Sequence, residues 1–171
     1  MIELVLGGAR SGKSRYAEQQ AIAGAKQRYY LATGQALDEE MQQRITRHQH
    51  DRDKQWITLE EPIHLARSLQ QHDSSVHCVV IDCLTLWLTN CLLADDDACW
   101  PAQKQALLTL LPQLQADVIL VGNEVGLGIV PYDALSRRFV DEAGWLHQAI
   151  ATLANKVTFV AAGLPLRLKD E

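Results

Sequence analysis

The sequence contains no C-x-x-C pair and no alternation of cysteine with histidine at zinc-finger spacing, so Cys78, Cys83, Cys91 and Cys99 read as buried or half-buried thiols of a reducing compartment. No block of lysine and arginine occurs either. With Lys+Arg 16 against Asp+Glu 21 and a net charge of -5, a protein that tracks nucleic-acid phosphates is disfavoured and small molecules become the expected partners. No apolar run suits a bilayer, because the stretch from Cys78 to Leu93 is broken by Asp82, Thr85, Thr89 and Asn90. The opening Met1-Ile2-Glu3-Leu4-Val5-Leu6 lacks the basic region, apolar core and cleavage site of a secretory signal, which gives a cytoplasmic expectation. No stretch rich in Pro, Gly or Ser divides the 171 residues and no fixed-period repeat recurs, so one domain, 1–171, is expected.

What is present is alternation. Short β-rich runs at 2–6, 28–33, 78–82, 117–121 and 157–161 exchange with segments of helical period at 13–25, 38–51, 84–93 and 134–155. Such alternation predicts an α/β fold with a mainly parallel central sheet and helices on both faces. The runs Leu4-Val5-Leu6 and Val79-Val80-Ile81 are continuously apolar, as strands covered on both sides are, and so belong near the middle of that sheet. The one charge run, Asp95-Asp96-Asp97, reads as a solvated turn between helices rather than a cation site.

Gly7-Gly8-Ala9-Arg10-Ser11-Gly12-Lys13-Ser14 matches G-x-x-x-x-G-K-[ST] between an apolar strand and a helical segment. This is a P-loop: its glycines let backbone N–H groups converge on a phosphate, Lys13 reaches the β- and γ-phosphates, and the Ser14 hydroxyl ligates Mg2+. The fold is therefore expected to be P-loop NTPase-like. Asp82, closing the apolar run Val79-Val80-Ile81 on a neighbouring buried strand, is expected as the metal-side carboxylate.

The segment 38–53 places acids first and bases later, as the helix dipole favours, and puts Arg44, His48 and Arg52 on one side at four-residue spacing. A neutral imidazole between two phosphate-gripping guanidiniums can attack phosphorus. Spacing alone favours a plainer reading, a solvated helix. His48 and His50 diverge on a helix and do not suit a metal pair, and His64, His72, His77 and His147 read as ordinary surface or core residues.

The P-loop followed by Arg15-Tyr16-Ala17-Glu18, Arg44-Ile45-x-x-His48-x-x-x-Arg52, Trp56-x-Thr58-x-Glu60-Glu61-Pro62, the run from Asp82 to Asn90, the run from Asn123 to Pro131 and Phe139-x-Asp141-x-Ala143-Gly144 occur in that order. This set resembles the bifunctional adenosylcobinamide kinase/adenosylcobinamide-phosphate guanylyltransferases of cobalamin biosynthesis over nearly the whole chain. The resemblance implies a RecA-like sheet and two reactions. ATP or GTP phosphorylates the hydroxyl of the aminopropanol arm of adenosylcobinamide. His48 then takes GMP from GTP with release of pyrophosphate and passes it to adenosylcobinamide phosphate, giving adenosylcobinamide-GDP. It also implies GTP contacts, by position, from Gly7, Gly8, Ala9, Arg10, Ser11, Gly12, Lys13 and Ser14, from Ala32, Thr33 and Gly34, from Gln49, His50, Asp51 and Arg52, and from Glu60 and Asp82. Lys13 and His48 are the expected catalytic residues, and a homo-oligomer, a trimer, is the expected assembly. The chain departs from the family at Asp53, where proline is frequent, and carries an added imidazole at His50. The Gly-rich run 123–131 follows a strand end, where open parallel sheets bind ligands; it reads as lining the corrinoid side or as a rigid connection.

Overall fold

The computed structural model describes residues 1–24, 26–34 and 55–171. Within them the strands are β1 (Ile2–Gly7), β2 (Gln27–Ala32), β3 (Trp56–Glu60), β4 (His77–Asp82), β5 (Asp117–Asn123), β6 (Lys156–Ala161) and β7 (Leu164–Asp170). The helices are α1 (Lys13–Ala23), α2 (Leu65–Gln71), α3 (Leu84–Leu92), α4 (Cys99–Leu110) and α5 (Ala134–Leu153). The strands form one sheet in the order β3-β2-β4-β5-β1-β6-β7, parallel throughout except for the antiparallel β6–β7 pair. The expected α/β P-loop NTPase-like architecture is the one observed.

Two-residue periodicity divides the central strands between two apolar layers. Leu4, Val79, Ile81, Val118 and Leu120 face α2 to α5, where Trp87 and Trp100 meet edge-on with centroids 5.2 Å apart. Val5, Val80, Ile119 and Val121 face the other way, onto Ala17 and Ala21 of α1. Full burial on both sides explains why β1, β4 and β5 read as unbroken apolar runs. Most polar atoms inside these layers are paired, His147 Nε2 being an exception: the Trp87 indole donates to the Ile63 carbonyl at 2.7 Å. Glu3, almost wholly buried, accepts at one carboxylate oxygen from Tyr16, Thr158 and Arg167, tying α1, β6 and β7 to β1.

The sequence anticipates β1, α1, β2, β4, α3, β5, α5 and β6, and misses β3, α2, α4 and β7. The helix expected at 38–51 lies outside the described residues. Cys78, Cys83 and Cys91 are buried and Cys99 half-buried, and Asp95 to Asp97 form an exposed connection between α3 and α4. His147 is a core residue, packed so closely on β5 that a Cβ at Gly122 would lie 2.7 Å from its Nε2. No helix among the described residues is long and apolar enough to cross a membrane.

Candidate active site

β1 ends at Gly7 and α1 opens at Lys13, and the loop between them has a backbone that side chains at two positions would obstruct. Gly7 has φ 155°, and a Cβ there would sit 2.2 Å from the Val160 carbonyl oxygen. Gly12 has φ 100°, and its Cβ would sit 3.2 Å from the Cα of Gly163. Only glycine meets both demands. Gly163, in the turn between β6 and β7, also donates its N–H to the Ser11 carbonyl at 2.8 Å, holding the loop from the neighbouring strand. Gly7→Ala is expected to lower stability by about 1–3 kcal/mol through strain and overpacking. Urea unfolding with and without nucleotide checks it, with loss of the nucleotide's stabilising effect as the accompanying result.

The loop suits an anion. Gly12, the N-cap of α1, supplies no side-chain acceptor, and the first turn contains no acid. The first amides of α1 therefore present uncapped partial positive charge. The Ser11 hydroxyl is buried inside the loop with no hydrogen-bond partner. Lys13 is 6% exposed, and its Nζ donates to the Gly8 carbonyl at 2.6 Å. Burial holds its pKa below the ordinary lysine value, while the negative charge of Asp82 and the Cys83 thiol act in the opposite direction.

Asp82 closes β4, and its Oδ2 accepts from the Tyr30 hydroxyl at 2.6 Å, which fixes the carboxylate. One expectation is corrected here: β4 is not the direct neighbour of β1, because β5 pairs with both and stands between them. The two strand spacings, about 10 Å, still leave Lys13 and Asp82 in electrostatic contact. Strand register then aligns Glu60, Ala32 and Asp82 in one row across the carboxyl ends of β3, β2 and β4. Thr33, fully buried, stitches β2 to β4: its hydroxyl donates to the Cys83 carbonyl and accepts from the Cys83 N–H, each at 2.8 Å. Its own carbonyl accepts from Asn90. Gly34 follows it at the same end of the sheet.

Beside the cradle, the Glu124 N–H donates to the Gly7 carbonyl at 2.9 Å and Asn123 Nδ2 to Thr85 Oγ1 at 3.0 Å. The Gly-rich run thus begins against the P-loop itself. Its far end is held by Arg137, which donates to the carbonyls of Pro131 and Tyr132. His48, Gln49, His50, Asp51 and Arg52, with Arg44, lie outside the described residues. Tyr30 and Gly163 join the site without having been anticipated. Ala162-Gly163 is a recognisable turn signal between two β-rich runs, whereas nothing in the sequence pairs Tyr30 with Asp82 before the β2–β4 register is known.

Residues 3–168 match the model of the family described as "Cobinamide kinase / cobinamide phosphate guanyltransferase". The chain belongs to that family. Among its curated relatives, the bifunctional adenosylcobalamin biosynthesis protein CobP of Pseudomonas aeruginosa is 53% identical over 171 residues, covering 100% of this chain and 99% of that protein. The bifunctional adenosylcobalamin biosynthesis protein CobU of Escherichia coli is 39% identical over 183 residues, covering 99% of this chain and 100% of that protein. Among solved structures, the RadB recombinase superposes with a TM-score of 0.51 at 14% identity over 92% of this chain and 73% of that one, a likeness of fold alone. In this member of the family, the P-loop, Lys13 and Asp82 lie at one end of the sheet, with the Gly-rich run from Asn123 beginning directly alongside.

Proposed function

We propose that this member of the cobinamide kinase / guanyltransferase family runs both half-reactions at the P-loop end of the sheet, with adenosylcobinamide and its phosphate as the acceptors. The observation that carries the reading is the gathering of uncapped α1 amides, the orphaned Ser11 hydroxyl, Lys13 and Asp82 at one end of the sheet. In the kinase step the acceptor hydroxyl attacks the γ-phosphorus of ATP or GTP, the bond to the β–γ bridging oxygen breaks, and a nucleoside diphosphate leaves. Lys13 and the α1 amides lower the barrier by matching charge that moves onto the phosphate oxygens. In the second step the His48 imidazole attacks the α-phosphorus of GTP and pyrophosphate leaves. The phosphate oxygen of the acceptor then displaces histidine, and adenosylcobinamide-GDP forms. Arg44 and Arg52 grip the phosphates that His48 attacks.

The Ser14 hydroxyl and the Asp82 carboxylate are hard oxygen donors of the kind Mg2+ takes alongside phosphate and water. When bound, Mg2+ would neutralise negative charge on the nucleotide's phosphate oxygens. Asp82→Asn keeps the shape and removes the charge, so it is expected to raise the Mg2+ concentration needed for half-maximal turnover about tenfold or more with little change in melting temperature. Turnover titrated against Mg2+ checks this, and an unchanged midpoint removes Asp82 from the metal site.

The test of the whole reading uses GTP labelled at the α-phosphorus. Purified protein is expected to acquire bound label, release pyrophosphate, and lose the label to adenosylcobinamide phosphate. Phosphorylation of adenosylcobinamide with no protein-bound GMP would reduce the chain to a plain kinase.

A further inference from the structure

Two concave apolar cavities with a common wall lie on the β5 side of the cradle, and we propose that they hold an edge of the corrinoid macrocycle while its hydroxyl arm reaches the P-loop. This rests on the acceptor proposed above. One cavity, about 310 Å³, is walled by Leu92 and Leu93 from α3 and by Leu135, Phe139 and Val140 from α5. The other, about 270 Å³, is walled by Val125, Ile129, Val130 and the same Val140, with Arg137 and Asp141 forming its polar side.

Four observations point to this occupant. Ile129 is 96% exposed, Leu127 82% and Val130 76%, so this apolar cluster has no covering among the described residues, and grouped exposure of that kind marks a binding surface. The surface is concave and of small-molecule dimensions rather than the broad flat patch of a stable protein interface. It is also held in shape. Arg137 fixes the carbonyls of Pro131 and Tyr132, Glu124 Oε1 accepts from Gly126 N–H at 2.6 Å, and Asp133 caps α5 through Ser136 N–H at 2.8 Å. Finally, the run that walls the second cavity starts beside the cradle, at the Glu124–Gly7 backbone bond. Of the reactants, a nucleoside triphosphate is polar along most of its length and is anchored by its phosphates. The corrinoid is a broad ring with a methyl-bearing periphery, too large for these cavities as a whole, and carries its reactive hydroxyl on a flexible arm. An apolar ledge beside a phosphate cradle suits that shape.

The experiment compares wild type with Ile129→Asp, Leu135→Asp and Ile129→Leu, all as the full chain. Residues 129 and 135 are exposed, so folding is expected to be unchanged. Each aspartate variant is expected to raise the KM for adenosylcobinamide in the kinase reaction about tenfold, kcat staying within about twofold. Ile129→Leu is expected to behave as wild type, and labelling of the protein by GTP alone, which needs no corrinoid, is expected to proceed normally in all three. An unchanged KM in the aspartate variants overturns the proposal. A raised KM that tracks a change of oligomeric state in sedimentation also overturns it, assigning the face to self-association. A wild-type protein that does not phosphorylate adenosylcobinamide overturns the acceptor assignment itself, and the ledge with it.

Discussion

Replacing Lys13 by methionine is expected to slow both the kinase and the guanylyl-transfer reactions by about 10²–10³-fold while leaving the melting temperature undiminished. On the proposal above, activity falls because the ammonium is lost from the place where phosphate charge redistributes, one cradle serving both reactions. Stability does not fall with it. The Lys13 stem is packed inside the protein and methionine fills a similar volume, while burial already disfavours the charge it removes. Gly8 retains the Ser11 N–H as a donor, and Asp82 retains the Tyr30 hydroxyl. The pH dependence supplies a second check. Because the folded-state pKa of Lys13 lies below 10.5, both states hold the proton at pH values under the lowered pKa, and the burial penalty applies in full. Between that pKa and 10.5 the unfolded chain binds more protons, so wild-type stability rises with pH there, and Lys13→Met lacks this rise. Kinase and guanylyl-transfer rates, with thermal melts across that window, decide it; near wild-type turnover would require a second nucleotide site.

His48→Asn is expected to bring protein-bound GMP down to background, a loss of at least about 10³-fold, while phosphorylation of adenosylcobinamide continues. The two reactions separate because transfer to a hydroxyl needs alignment in the cradle, whereas GMP transfer through the protein needs a nucleophile. In the wild type the adduct is expected to be a phosphoramidate, cleaved by acid once the nitrogen is protonated and stable in alkali. A serine ester would resist mild acid, and an acyl phosphate would be lost in alkali. Peptide mapping after labelling is expected to find GMP on the peptide containing His48, and label confined to His50 would move the nucleophile two residues along. Arg52→Ala, with His48 intact, is expected to slow formation of the adduct.

The buried half of this architecture was legible because covered parallel strands leave unbroken apolar runs, as at Leu4-Val5-Leu6 and Val79-Val80-Ile81. The P-loop was legible because two backbone conformations admit only glycine and because the lysine and serine follow at fixed spacing. The missed strands lie where burial is partial. β3 shows only half-buried and exposed residues, so its period is blurred, and β7 is an edge strand carrying Pro165 with leucines on the solvent side. Strand order is a third kind of information. The sequence marks the ends of β1 and β4 as one site, yet the insertion of β5 between them depends on pairings between segments distant along the chain. The same insertion brings Asn123 and Glu124 against Gly7, so a run read as either corrinoid-lining or merely connecting begins in contact with the cradle.

The hydrogen bond from Gly163 to the Ser11 carbonyl has a consequence for the order in which the protein is made. Ribosomes deliver the P-loop residues among the first and the β6–β7 turn much later, and Arg167 reaches the buried carboxylate of Glu3 later still. A nascent chain that has already formed β1, α1 and β5 therefore has the phosphate-binding letters without the clasp that shapes them. The backbone contacts that shape the loop are therefore completed only when β6 and β7 have emerged and docked.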